Sequence, residues 1–147
     1  MPLFTQDVKI EALRKAPLFA ELSRKELVAV ARLADELEAP AGRILAREGE
    51  IGHEFFVVVS GEVEFSRNGR KLPIDGPVDF FGEVALIEHT ERMATVKAKT
   101  DLRVFVLAER EFRQLLDDNP KIERKVLKAL ARRLLTLVQA RQAATLA

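Results

Sequence analysis

The chain has 147 residues, of which 48% are hydrophobic and 32% charged, with a formal net charge of +1 and no cysteine. This composition predicts one globular domain with a buried core, and we expect a cytoplasmic protein. The lack of cysteine excludes disulfides, thiolate metal sites and cysteine nucleophiles, and apolar runs of at most five residues exclude a membrane-spanning helix.

The first predicted elements are two helices. Residues Asp7–Lys15 are typical of a helix, and Ser23 with Glu26 forms the Ser-x-x-Glu pattern in which each side chain caps the other residue's backbone N–H. A second helix should follow this pattern and end near Leu37, because Pro40 cannot continue it.

Short strands and tight turns are predicted between residues 37 and 107. Glu54–Ser60 is β-branched and aromatic, as in a buried strand, and Leu102–Leu107 is a second such segment. Asn68-Gly69 is typical of a two-residue hairpin turn, and all seven glycines of the chain fall in this part. The pattern predicts an α+β fold: an antiparallel β-roll or jelly roll of about eight strands, flanked by N-terminal helices and a long C-terminal helix.

Helical patterns return after Leu107. A short helix is predicted over Glu109–Leu116, and Asn119-Pro120 then supplies an N-cap and a proline at the first position of a long final helix. This helix carries a leucine stripe at spacings of three and four residues: Leu127, Leu130, Leu134 and Leu137. The stripe either packs on the strands of its own chain or forms the seam of a homodimer.

The final helix is also strongly basic. From Lys121 onward the chain carries seven Lys or Arg residues and one acid, which puts this part at about +6 and the rest of the chain at about −5. In most proteins, a basic helix face of this kind is simply exposed to solvent or complements acidic residues of the same chain. It also suits docking on nucleic acid or on an acidic partner.

The segment Phe80–Val96 carries the groups that a sugar phosphate needs. Gly82 permits a sharp turn and a close approach of the backbone to a ligand. The residues after it are predicted to form a short helix, whose free N–H groups and positive dipole end suit a phosphate. Arg92 can bind two phosphate oxygens at once, whereas the carboxylate of Glu83 accepts hydrogen bonds and therefore suits ribose hydroxyls.

Other chemistries find little support in the sequence. His53 and His89 are far apart and are predicted to be turn residues, so no metal site is expected. Glu83 and Glu91 lie in the same segment, but no nucleophile motif or triad spacing accompanies them. We therefore predict no catalytic residues and no enzyme activity.

Two stretches of the chain resemble the cyclic nucleotide-binding domain family. The first, GRILAREGEIGHEFFVVVSGEVEF (42–65), is similar to the early strands of this family, and the second, FGEVALIEHTERMATV (81–96), to its phosphate-binding cassette. The order of ERMATVKAKT, FRQLL, NP and ARRL is that of the catabolite activator (Crp/Fnr) type, without its helix-turn-helix domain. The resemblance implies that a cyclic nucleotide binds in the β-roll and that the final helix transmits its occupancy.

The resemblance also implies roles for individual residues. Gly82 and the N–H groups that follow it would cradle the cyclic phosphate, Arg92 would pair with the phosphate, and Glu83 would accept a hydrogen bond from the ribose 2′-OH. The other residues implied to bind the ligand are Val84 and Ala85 in the cradle and Met93, Ala94 and Thr95 on the strand after the arginine.

Several positions depart from the family pattern. Relatives have serine, threonine or alanine in place of Met93, and threonine there is associated with guanine recognition, so methionine favours cyclic AMP over cyclic GMP. Many relatives have proline in place of Glu91, and a carboxylate beside the phosphate must point to solvent. Where the catabolite activator contacts adenine with a Thr-Ser pair, this chain has Leu137 and Val138, so we expect an apolar lid over the base, with Leu134 as a third candidate.

The sequence thus predicts a regulatory sensor in one domain, with N-terminal helices over 1–35, a β-roll over 36–107 that contains the cassette at 80–96, and C-terminal helices over 108–147. Its ligand would be a cyclic nucleotide, with cyclic AMP favoured and no metal, and a second copy could bind through the final helix. The chain shows no DNA-binding motif. The alternative is an interaction module of the same fold that binds nucleotide weakly or not at all and docks on a protein or nucleic acid through its basic helix.

Overall fold

The computed structural model of the chain describes residues 3–74 and 76–146, and the side chains of 6–74 and 76–142. Within these ranges, helices stand at both ends of the chain and eight strands lie between them. The helices are α1 (Leu3–Lys15), α2 (Arg24–Leu33), α3 (Glu83–Glu88), α4 (Glu109–Asp118) and α5 (Pro120–Leu146), with a 3-10 turn at Pro17–Phe19. The strands are β1 (Asp35–Ala39), β2 (Ile44–Ala46), β3 (Glu54–Ser60), β4 (Val63–Arg67), β5 (Arg70–Lys71), β6 (Phe80–Phe81), β7 (Thr95–Ala98) and β8 (Leu102–Ala108).

The strands form two four-stranded antiparallel sheets, ordered β1-β8-β3-β6 and β2-β7-β4-β5. The two sheets face each other across an apolar layer in which the rings of Phe56 and Phe81 stack with centroids 4.7 Å apart. The other face of the first sheet is covered by helices, and here Phe55 of β3 meets Phe112 of α4 at 4.5 Å. Both faces of β3 are therefore buried, which is why its sequence is almost continuously apolar. The predicted β-roll with flanking helices is confirmed.

Two local patterns in the sequence, a helix cap and a hairpin turn, form the structures predicted for them. Ser23 and Glu26 form the reciprocal capping box of α2: the Ser23 hydroxyl accepts from the Glu26 N–H at 3.1 Å, and the Glu26 carboxylate accepts from the Ser23 N–H at 2.9 Å. Asn68 and Gly69 connect β4 to β5 with positive φ values of 52° and 76°. Both patterns act within a few residues, so tertiary contacts do not override them.

The end of α2 and the capping of α5 differ from the sequence prediction. Helix α2 ends at Leu33 rather than near Leu37, because β1 begins at Asp35 and pairs with β8 along its whole length. Leu37 belongs to this strand and packs into the layer between the sheets. Pro120 begins α5 as predicted, but the side chain of Asn119 donates to the Leu115 carbonyl of α4 at 2.9 Å, and the Asn119 carbonyl accepts the N–H of Glu123.

The long helix α5 has two halves in different surroundings. Its first half buries Ile122 and Val126 in the core that covers the first sheet. Farther along, Leu134, Leu135, Leu137 and Val138 are exposed. Among the described residues, no helix combines the length and the hydrophobicity that crossing a membrane requires.

Candidate ligand-binding site

The site begins at Gly82, which joins β6 to α3 in a left-handed conformation with φ of 97°. A Cβ atom at this position would lie 2.7 Å from the carbonyl oxygen of Glu54 and 2.9 Å from Nη1 of Arg92. Only glycine fits this space, and its φ is one that side chains disfavour. The first turn of α3 therefore starts directly against β3, with N–H groups that have no acceptor within their own helix.

Arg92 is buried beside this turn. Its Nη1 donates to the Gly82 carbonyl at 3.0 Å and its Nη2 to the Glu54 carbonyl at 2.7 Å, so the guanidinium ties α3 to β3. A Cβ on Gly52 would lie 2.6 Å from Nε of Arg92, so glycine is also required on this side of the guanidinium. Burial lowers the pKa of Arg92, and the carboxylates of Glu54 and Glu83 oppose that shift.

The backbone of Arg92 is held as firmly as its side chain. Its N–H donates to the Glu50 carbonyl at 2.7 Å, and its carbonyl accepts the Gly49 N–H at 2.8 Å. These bonds attach the segment before β7 to the loop between β2 and β3. The arginine is therefore fixed at both ends before any ligand arrives.

Glu83 is the buried acid of the site, with only 1% of its surface exposed. One carboxylate oxygen, Oε1, binds the guanidinium of Arg133 from α5, whereas Oε2 is buried without a hydrogen-bond partner among the described residues. Burial raises the pKa of Glu83, and the charges of Arg133 and Arg92 act in the opposite direction. A buried acceptor without a donor is costly, and a ligand hydroxyl at Oε2 would remove that cost.

Arg133 joins α5 to the cassette through more than this ion pair. It also donates to the carbonyl of Phe80, and its guanidinium carbon lies 4.8 Å from the centre of the Phe80 ring. Sequence analysis did not single out this residue. A signal was present: Ile122, Val126 and Arg133 share the buried face of α5, and a cation on a buried face needs a buried partner.

The other predicted site residues lie on either side of this centre. Val84 is half-buried and Ala85 buried in the first turn of α3, and Ala94 is half-buried just before β7. The hydroxyl of Thr95 accepts the Glu48 N–H at 3.1 Å, so it is already engaged. Met93 is 48% exposed, and its carbonyl accepts a hydrogen bond from Arg67.

The side chains of Glu91 and the two histidines make no described contact with Arg92 or Glu83. Glu91 is exposed, and its backbone bridges to Ile51. His89 ends α3 in a left-handed conformation with φ of 53°, and its Nδ1 lies 3.1 Å from Oε1 of Glu109. His53 is an exposed residue before β3, and within the described ranges no three His, Cys, Asp or Glu side chains are grouped as metal ligands.

The lid candidates lie on the exposed half of α5. Leu134, Leu137 and Val138 are exposed by 64%, 36% and 47%, immediately after Arg133. The predicted leucine stripe is not uniform, because Leu130 packs against the core whereas Leu127 is 68% exposed. Helix α5 thus meets the cassette at Arg133 and exposes the apolar residues that follow.

Comparisons with known proteins agree with this geometry. The family model for the cyclic nucleotide-binding domain matches residues 36–119, more than half of the chain. The cAMP-dependent protein kinase regulatory subunit of Aspergillus niger is 34% identical over 119 residues, which cover 77% of this chain and 28% of that protein. The CRP-like cAMP-activated global transcriptional regulator of Mycobacterium tuberculosis is 30% identical over 129 residues, which cover 84% of this chain and 58% of that protein.

Solved structures give the same result. The cAMP-bound structure of PfPKA-R superposes with a TM-score of 0.80 at 25% identity, covering 94% of this chain and 48% of the other. This chain spans only part of the length of the proteins it matches: 28% of the kinase regulatory subunit and 58% of the transcriptional regulator. The resemblance seen in the sequence is confirmed: the chain belongs to the cyclic nucleotide-binding domain family.

Proposed function

We propose that this domain is a regulatory sensor that binds a cyclic nucleotide between the cassette and α5, with cyclic AMP preferred. The observation that carries the proposal is the free Oε2 of Glu83, an acceptor buried beside Arg92 at the start of a helix. A cyclic nucleotide supplies both a ribose hydroxyl for this oxygen and an anion for the neighbouring positive groups.

The phosphate would bind at the first turn of α3. The N–H groups of residues 83–85 and the dipole of the turn attract an anion, and Arg92 keeps further donors after its two bonds to backbone carbonyls. Glu91 is exposed, so its charge is screened by solvent and does not oppose the phosphate strongly. Val84, Ala85, Met93, Ala94 and Thr95 would form the walls around the sugar phosphate.

Arg133 would connect occupancy of the site to α5. It binds the same carboxylate that would accept the ribose hydroxyl, so the ligand changes the group that holds α5. A ligand shifts an equilibrium only by its differential affinity for the two states. Different positions of α5 would therefore bind the nucleotide with different affinity.

Calorimetry with the wild type and the Arg92→Ala variant tests the proposal. We expect cyclic AMP to bind the wild type and the variant to lose about 2–5 kcal/mol of binding free energy, as when one partner of a buried charge pair is removed. The matched control is Arg103→Ala, which removes a β8 arginine that is paired with Glu36 of β1. Absence of heat and of thermal stabilisation with cyclic AMP and cyclic GMP in the folded wild type would contradict the proposal.

Met93 supports the preference for cyclic AMP. It lacks the hydroxyl that family members with threonine at this position use in guanine recognition, and it is exposed enough to be replaced without loss of the core. We expect Met93→Thr to narrow the ratio of cyclic AMP to cyclic GMP affinity, and Met93→Val to leave it unchanged. Competition titration of both nucleotides measures the ratio, and an equal change in both variants would exclude a role for the hydroxyl.

We also propose that two copies pair through α5. Leu127, Ala131, Leu134 and Val138, the dimer strip, are exposed and follow one another at intervals of four, three and four residues. This is the spacing of a two-helix seam.

Sedimentation velocity tests this pairing. Leu134→Glu should shift a dimer to monomer, because it places two like charges in the middle of an apolar seam. Ile74→Glu is the matched control, since Ile74 is also an exposed apolar residue, at 41%, but lies after β5. A monomeric wild type at high concentration, with and without cyclic AMP, would exclude the dimer.

A further inference from the structure

Three cations on α5 have no partner in the described part of the chain. Arg124, Lys128 and Arg132, the basic arc, are all exposed, and their side chains make no ion pair or hydrogen bond there. They are four residues apart, so their Cα atoms follow one another at roughly 6 Å along the helix. The arc is a row of evenly spaced, unneutralised charges.

Neighbouring cations of the same helix are used within the domain. Lys125 lies 3.7 Å from Glu21 and donates to the Pro17 carbonyl at 3.3 Å, and Arg133 binds Glu83. The acidic remainder of the chain therefore neutralises one side of α5 and leaves the arc free. A purely internal role for the excess basic charge does not account for these three residues.

An apolar residue lies within the same surface. Leu135 is 56% exposed and follows Lys128 by seven residues and Arg132 by three, so it shares their face of the helix. A surface that sets one apolar residue beside a row of cations matches an amphipathic partner rather than bulk solvent. The dimer strip borders this surface and does not include the arc.

We infer that the basic arc docks an acidic amphipathic helix of a partner protein. Carboxylates at four-residue intervals on that helix would lie opposite the three cations, and an apolar residue beside them would pack on Leu135. Charge complementarity of this kind speeds association and fixes the register of the two helices. The inference does not depend on nucleotide binding, because none of these residues contacts the cassette in the described structure.

Nucleic acid and membrane surfaces fit the same residues less well. Single-stranded nucleic acid is usually bound with aromatic side chains that stack on bases, and α5 contains none. The leucines beside the arc would remain exposed against a row of phosphates. An interfacial membrane helix normally carries aromatic anchors and a wide free apolar face, whereas the first half of α5 buries its apolar face in the core.

Fluorescence anisotropy of the full chain with a labelled designed peptide tests the inference. The probe is an amphipathic helix with glutamate at every fourth position beside leucines, and its glutamine version is the peptide control. We expect binding to weaken with added salt, to be lost with the glutamine peptide, and to fall roughly tenfold or more in R124E/K128E/R132E. The affinity of the neutral variant R124Q/K128Q/R132Q for the glutamate peptide should fall by less.

The matched protein control, R43E/R70E/K99E, reverses the charge of three exposed side chains that have no described ion pair and lie outside α5. It changes the net charge equally and should bind the glutamate peptide nearly as well as the wild type. Equal affinity of the arc variant and the control variant would overturn the inference. Tighter binding of a single-stranded oligonucleotide or of vesicles containing phosphatidylserine than of the peptide would also overturn it, in favour of those surfaces.

Discussion

The cassette side and the α5 side of the site are built in opposite ways. On the cassette side, Arg92 is buried and makes two hydrogen bonds to backbone carbonyls, at 2.7 and 3.0 Å, and glycines provide the space it needs. On the other side, α5 meets the cassette through Arg133, and the apolar residues after it are exposed. One side is fixed by the fold, and the other rests on few contacts.

This difference shows which side can move at low cost. Displacing Arg92 would leave two backbone carbonyls without their donors, each a loss of about 1–3 kcal/mol if they stay buried. Displacing the part of α5 that follows Arg133 uncovers little apolar surface, because Leu134 and Val138 are already exposed. The cassette is thus suited to hold a ligand, and α5 to report its presence.

The largest expected effect comes from replacing Gly82 with alanine. The new Cβ would overlap the Glu54 carbonyl and the Arg92 guanidinium, and the residue would keep a positive φ. We expect a loss of about 2–4 kcal/mol of unfolding free energy together with loss of cyclic AMP binding. Chemical denaturation and calorimetry on the same samples measure the two effects.

Gly42→Ala separates the cost of a positive φ from the cost of the steric overlap expected at Gly82. Gly42 has a similar φ of 93°, but a Cβ there meets nothing within 4 Å. This variant should show the cost of the backbone conformation alone, about 1 kcal/mol, and should bind cyclic AMP normally. Equal losses in the two variants would mean that the space around Gly82 is not as tight as the cassette geometry requires.

A smaller effect is expected on the α5 side, from Arg133→Ala. Arg133 is the main group that opposes the burial-driven rise in the pKa of Glu83, so its removal should raise that pKa further. A raised folded-state pKa stabilises the protein at low pH, and this stability is lost as the pH rises through the folded value. We therefore expect the variant to be less stable than the wild type by about 1–3 kcal/mol above neutral pH, with the gap closing towards acid.

Denaturant titrations across the pH range, repeated with Arg133→Lys, check this expectation. Lysine keeps the charge and should retain most of the pH profile, although it cannot reach Glu83 and the Phe80 carbonyl with the same planar group. A constant gap between wild type and Arg133→Ala at every pH would show that the ion pair does not control the protonation of Glu83. The cassette and α5 would then be coupled through packing alone.

Features of the fold that depend on neighbouring residues could be predicted from the sequence. Ser23 with Glu26 and Asn68 with Gly69 act within a single turn, so their patterns survive in the structure. The end of α2 could not be placed, since β1 begins where pairing with β8 becomes available, and β8 lies some seventy residues later. Pairing partners that distant leave no mark in the local pattern.

The candidate site divides in the same way. Gly82, Glu83 and Arg92 lie within one segment, and the structure brings them together beside β3. Arg133 was not predicted, because its charge was counted with the basic face of α5 and its partner lies 50 residues earlier. The available signal was its position, because Arg133 lies on the same face of the helix as the buried residues of α5. A cation on that face indicates a buried acidic partner.

The smallest expected effect concerns the lid. Leu137 is 36% exposed on α5 and is predicted to cover the base, so Leu137→Ser should weaken cyclic AMP binding by roughly three- to tenfold through lost apolar contact. Its unfolding free energy should change by less than about 0.5 kcal/mol, because the side chain is largely outside the core. Leu127→Ser is the control, since Leu127 precedes Arg133 and belongs to the dimer strip. Weaker binding in Leu137→Ser alone supports a lid, whereas equal weakening in both variants traces the effect to pairing of the helices, and α5 would then act on the nucleotide through its partner rather than by covering the base.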